Sequence, residues 1–265
     1  MSFYGSSFSF DGVSCEEFGL MLYDFNNTTQ GNSKFASLDT LEDRVYQRPR
    51  SLLYGTTYKN PLEFRLIFGV NENRAAAGRD IDREEMAIVS SWLMGHQSYR
   101  WLTVDQPDMI NMRYRCVITD LEMIEIGFSK WAYSCTVRCD SPYAYLYPQK
   151  FTFTVDGIST VQICSRSTAN DVYYPHVEIT LDDCANLTIT NTSIGRTFSL
   201  KNLQNTSDVI TLNGETGVLS SQSGTSIYPY CNFHWPCLTR GYNNLTITGN
   251  GTFVFTCEFP VNIGG

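Results

Sequence analysis

Residues 184–219 read CANLTITNTSIGRTFSLKNLQNTSDVITLNGETGVL, a run of Asn, Thr and Ser with single apolar residues at every second place. Period-2 alternation puts successive side chains on opposite faces of a strand. Leu187, Ile189, Phe198, Leu200, Ile210 and Leu212 then form one buried face, and the Asn/Thr positions form the wetted one. Short alternating segments continue on both sides, in FTFTV, HVEITL and NNLTITGNGTFVFTCEF, with Asn213-Gly214 and Asn250-Gly251 as hairpin turns. The pattern predicts an antiparallel β-sandwich.

Upstream the texture differs. Residues 1–142 carry 14 Lys+Arg and 19 Asp+Glu, and residues 143–265 carry only 5 and 8. The change falls in DSPYAYLYPQK (140–150), rich in Pro and Tyr, which reads as a domain seam. We therefore expect domains at 1–142 and 143–265. Within the first, SFSFDGVSCEEFGLMLYDF predicts a hairpin turning at Asp11-Gly12, followed by a polar loop, NNTTQGNSK. LLYGTTY and LEFRLIF read as paired strands, the second alternating through Leu62, Phe64, Leu66 and Phe68. One helix is predicted in IDREEMAIVSSWLMGH. Asp82 and Glu85 make a capping box, Met86, Val89, Trp92 and Leu93 form the apolar stripe, and Gly95 ends it. RYRCVITDLEMIEIGFSKWAYSCTVRC reads as a two-stranded ribbon turning near Gly127, with Cys135 and Cys139 on its apolar face as small buried hydrophobes. The expected fold class is mainly β: an N-terminal α+β domain with one helix, then an antiparallel sandwich.

Composition narrows the function classes. The net charge of −8 argues against a protein that grips nucleic acid by its phosphates, yet suits a wall that a polyanion slides past. No apolar run approaches the ~20 residues of a membrane helix, and the N-terminus lacks the pattern of a signal peptide. The N-x-S/T triplets at Asn27, Asn186, Asn191, Asn205, Asn244 and Asn250 then read as accidents of composition rather than glycosylation sites. Nine cysteines, an odd number without metal-knuckle spacing, give neither a disulfide framework nor a zinc site. No nucleophile, phosphate-loop or metalloprotease motif is present, so no enzyme, cofactor or metal is expected. Of three histidines, His96 reads as a helix cap and His176 begins a strand. His234 lies in CNFHWPCLTR beside Trp235 and Arg240, a loop that suits a sugar-stacking site or the seat of a partner.

The order of these segments resembles the distal tail protein (Dit) family of long-tailed, non-contractile phages. The likeness rests on FSFDGVSCEEFGLML, LLYGTTYKNPLEFRLIF, the helix and VRCDSPYAY, then YYPHVEITL, NLTITNTSIGRTFSLKNL, ITLNGETGVLSS and CLTRGYNNLTITGNGTFVFTCEF. It implies a structural virion protein: a hexameric ring closed by the first domain, with a galectin-like sandwich around it, joining the tail tube to the tail tip or baseplate. Its partners would be itself, the tube protein and the tip protein. Phage DNA would pass through the channel without specific binding. No membrane contact is implied, and assembly would occur in the host cytoplasm. Phe8, Phe10, Phe18 and Leu20 of the aromatic N-terminal hairpin are candidates for the ring interface, with ordinary core as the competing reading of each. Family members that bind sugar carry an inserted module in the sandwich, for which this chain has no room, so adhesion would fall to a partner. Beside this reading stand another tail or neck component and a lectin-like carbohydrate-binding protein.

Overall fold

A computed structural model of the chain describes residues 5–23, 37–44, 46, 49–78, 80–126 and 129–263. The expected polar loop at 26–34 and the ribbon turn at Gly127 lie outside the described residues. The chain falls into two compact units, Met1–Tyr145 with Asn262–Gly265, and Leu146–Val261. Asn262 thus groups with the first unit and not, as the sequence suggests, with the second.

In the first unit β1 (Ser7–Phe10) turns into β2 (Val13–Ser14) through Asp11 and Gly12, both at positive φ, 52° and 82°. Such a turn matches the twist of the two strands and sets Phe10 opposite Val13. The residues after it are not one strand, as expected. Ser14 and Glu17 form a capping box around a 3-10 turn, Cys15–Phe18, and β3 (Leu20–Leu22) follows. Next come β4 (Leu38–Asp43), β5 (Leu52–Tyr58) and β6 (Glu63–Val70). The expected β5–β6 pair does not form. β6 carries a full apolar face and lies between β3 and β9, defined below, whereas LLYGTTY has no such face and pairs with β4.

A second helix, α1 (Glu72–Ala76), precedes the expected one, α2 (Arg83–Met94). Asp82 Oδ1 accepts from Glu85 N at 2.8 Å, and Glu85 Oε2 from Asp82 N at 3.1 Å, so the expected capping box is present. Val89 and Leu93 are buried. Trp92 stacks on Phe8 at 5.6 Å and lies 4.7 Å from Phe18, while its Nε1 donates to Phe10 O at 3.1 Å. Gly95 does end the helix, but at φ −72°; its role is close approach, since a Cβ there would fall 2.3 Å from Ser91 O. His96 Nε2 lies 2.9 Å from Trp92 O and caps the end. Then follow β7 (Arg100–Asp105), β8 (Met112–Ile126), β9 (Ser129–Cys139) and β10 (Ala144–Leu146). The main sheet runs β2-β1-β7-β8-β9-β6-β3, antiparallel throughout. It curls until Leu22 N donates to Ser6 O at 3.0 Å. All nine cysteines are free and all but Cys164 are buried. Burial pushes Cys15 up to about 11 and Cys135 and Cys257 up to about 12, so these thiols serve as packing.

The second unit holds β11 (Gln149–Val155), β12 (Ile158–Ser165), β13 (His176–Leu181), β14 (Leu187–Asn191), β15 (Arg196–Leu200), β16 (Val209–Asn213), β17 (Val218–Ser221), β18 (Gly241–Thr248), β19 (Gly251–Cys257) and β20 (Pro260–Val261). Its sheets run β11-β19-β13-β16-β17 and β12-β18-β14-β15. The expected core holds: Leu187, Ile189, Phe198, Leu200, Ile210 and Leu212 are each at most 2% exposed. On the other face Thr190 and Thr197 meet across the strands at 3.0 Å. The turns differ in detail. The β16–β17 turn takes its positive φ at Gly217 (66°), and Gly214 is required because a Cβ would fall 2.1 Å from Tyr174 O. The β18–β19 turn is Gly249–Asn250, with Gly249 at φ 131°.

Buried amides organise the sandwich. Asn243 is fully buried; its Nδ2 donates to Thr239 O (2.7 Å) and Gly241 O (3.0 Å), and its Oδ1 accepts from Thr239 N (2.9 Å) and Asn191 Nδ2 (2.9 Å). Asn191 Nδ2 also reaches Cys237 O at 2.8 Å. Removing one member strands several buried partners, each worth about 1–3 kcal/mol. Asn243→Ala is therefore expected to lower stability by about 3 kcal/mol, read as a lower urea midpoint.

Asp208 is 7% exposed and accepts from Val209 N (2.8 Å), Ser223 Oγ (2.9 Å), Ser223 N (3.3 Å) and Ser221 Oγ. Burial alone raises its pKa, but these donors outweigh burial and hold it below the ordinary carboxylate value. The ionised form thus stabilises the fold above the ordinary value of about 4, and that stability is lost as the pH falls through the lowered pKa. Asp208→Asn should be less stable than wild type at pH 7 and lose less on acidification to pH 3, as measured by urea midpoints. In the first unit, Phe10→Ala should cost about 3–5 kcal/mol. The exposed Leu53→Ser should stay within about 0.5 kcal/mol. Thermal unfolding of dilute protein checks both.

Candidate assembly surfaces

The β4–β5 ribbon is the least satisfied part of the first unit. Its register runs from Leu38 opposite Tyr58 to Asp43 opposite Leu52, with a bulge at Leu41/Glu42. Every residue of β4 is exposed, and Leu41, Leu53 and Tyr54 are 56%, 61% and 69% exposed. Among the described residues, its fastening contacts lie at the base. Lys59 N donates to Ser37 O (2.9 Å), the Tyr58 ring meets Tyr143 at 5.3 Å, and Tyr58 Oη accepts from Asn262 Nδ2 (3.2 Å). The Lys59–Asp39 ion pair, at 3.9 Å and exposed, adds little. A two-stranded ribbon in water is marginal by itself.

Beside α2 lies a slot. Leu20, Ile81 and Val89 line it with Phe18 and Ile88, and the Arg74–Glu85 ion pair stands at its edge. Arg74 also donates to Phe18 O (3.3 Å) and Asp80 O (3.1 Å), which fixes the 3-10 turn against the helix start. Tyr133 lines the same slot. It is 2% exposed, and its hydroxyl is buried with no hydrogen-bond partner. Burial, with Glu85 nearby, pushes its pKa up to about 12, so the phenol keeps its proton at ordinary pH.

Of the residues read either as ring interface or as core, Phe8, Phe10 and Leu20 are at most 1% exposed within the chain. Phe18 is half-buried, at the mouth of the slot. The alternation that singled these residues out marks a core-facing strand, and neither the orphan hydroxyl nor the unpaired ribbon has a sequence signature.

In the second unit, the loop through His234, Trp235 and Arg240 seals two sheet edges. Cys231 bridges Leu200. Asn232 exchanges backbone and side-chain hydrogen bonds with Thr197 and Ser199 at 2.8–3.2 Å, covering edge strand β15. Tyr228 Oη accepts from Leu219 N (3.0 Å) on edge strand β17. Such cover protects strand edges from unwanted pairing. Trp235 turns inward to Phe198 at 6.1 Å, while His234 and Arg240 stay exposed. The sequence reading missed Phe233, which is 62% exposed, held at φ 59° and stacked on Tyr228 at 6.1 Å.

No group of His, Cys, Asp and Glu that could hold a metal occurs among the described residues. None of their helices is long and apolar enough to cross a membrane. Residues 3–141 match a family described as phage tail protein N-terminal domain, and residues 143–257 match one described as phage tail C-terminal domain. No curated protein matches the sequence. Among solved structures, the fold is similar to that of Dit (gp 19.1) of phage SPP1, with a TM-score of 0.68 over 96% of this chain and 98% of that one, at 12% identity. That protein is described as a paradigm of the hub adsorption apparatus in phages that infect Gram-positive bacteria. With both halves matched by family models and the fold shared end to end, the chain belongs to the phage tail proteins.

Proposed function

We propose that this tail protein is the distal hub of a long-tailed phage. Six copies form a ring that joins the tail tube to the tip or baseplate and leaves a channel for DNA. The observation that carries the reading is the fold shared with SPP1 Dit over nearly the whole of both chains. Two further features support it. The β4–β5 ribbon is exposed on both faces, as expected of an element completed by assembly. The net charge of −8 disfavours a grip on passing DNA. The role is structural and not catalytic, in the virion tail after assembly in the host cytoplasm. The tube and tip proteins are the partners, and the Tyr228–Arg240 loop of the sandwich is offered to a neighbouring tail component.

Light scattering on the purified chain, followed by negative-stain imaging, tests this. Six 30.0 kDa chains predict a particle of about 180 kDa with a central hole. A chain that stays monomeric, both alone and with purified tail tube, contradicts the hub reading.

A further inference from the structure

Two features of the first unit are incomplete in complementary ways. The slot beside α2 has largely apolar walls, and one residue that lines it, Tyr133, carries a buried hydroxyl without a partner. It calls for an apolar side chain with a polar tip, because an unmet buried hydroxyl is costly. The ribbon presents such a side chain, Tyr54, beside the equally exposed Leu53. Neither feature fills the other within one chain, since Tyr54 remains 69% exposed.

We propose that Tyr54 of one copy enters the α2 slot of the next, its phenol meeting the Tyr133 hydroxyl and Leu53 packing near Ile88. This rests on the ring reading and names the contact that closes the ring. Ribbon and slot are different surfaces of one unit, so every copy offers one of each. A contact of that head-to-tail kind propagates from copy to copy and closes into a ring when its rotation allows. A neighbour of another sequence would leave one slot and one ribbon unfilled in each copy, whereas a second copy fills both.

The test uses the full-length chain with Cys164→Ser, which removes the one exposed thiol. L53C chains are mixed with I88C chains and treated with a short bismaleimide, and light scattering runs in parallel. Cross-linked dimers are expected only from the mixture, and a ladder of higher species from the double variant. Y54S, at an exposed position, should slow cross-linking at least tenfold without moving the unfolding midpoint. Y133F should leave that midpoint unchanged or raised, yet slow cross-linking severalfold, which a merely structural tyrosine would not do. A particle of about 180 kDa with no L53C–I88C product overturns the contact and leaves the ring reading standing. Cross-links confined to particles of two copies keep the contact and remove the ring. Monomers without cross-links, both alone and with purified tail tube, overturn both.

Discussion

One long helix must seal a strongly curved sheet, and the layout of the first unit follows from that. α2 buries Val89 and Leu93 and half-buries Met86 and Trp92. The sheet responds by curling until Leu22 meets Ser6, so that Phe8, Phe10, Leu20 and Phe68 bury one another. Trp92 holds the arrangement by stacking on Phe8 and bonding the Phe10 carbonyl. What remains exposed is the ribbon, with Leu41, Leu53 and Tyr54, and the slot beside the helix.

The sandwich solves a different problem. With few charges, it relies on cross-strand threonines for its wet face and on side-chain amides for its turns. The segment Leu238–Asn243 shows how. Leu238 is buried, Gly241 takes φ 85°, and Asn243 satisfies the turn's own backbone from within. The same logic explains Asn191 at the end of β14 and Asn213, whose side chain accepts from Glu215 N and Thr216 N. An Asn-rich texture that first suggests sugar attachment is here largely a substitute for backbone pairing at turns and edges.

Alternation was the most legible signal. It picked out the six core residues of β14–β16, the apolar face of β6 and the buried cysteines of β9, because period-2 burial leaves its trace in residue type. The capping box of α2 was equally plain. Contacts between segments far apart in sequence were not. Nothing in LLYGTTY says that it pairs with 38–43 instead of 62–68, and the capping box at Ser14 lies hidden inside a run that reads as strand. Aromatic residues near the N-terminus likewise look alike whether they face the core or a neighbour. The left-handed Phe233 and the unpartnered Tyr133 hydroxyl depend on three-dimensional surroundings and have no counterpart in the order of residues.

The central claim is that this chain forms a ring at the far end of a tail tube. Cryo-electron microscopy of intact virions, with six-fold averaging at the tail end and the two units fitted separately, tests it most directly. The account predicts one ring of six copies between tube and tip, first units innermost, with each ribbon lying on the neighbouring copy. Density for the chain repeated along the tube, or its absence from the tail end, would contradict it.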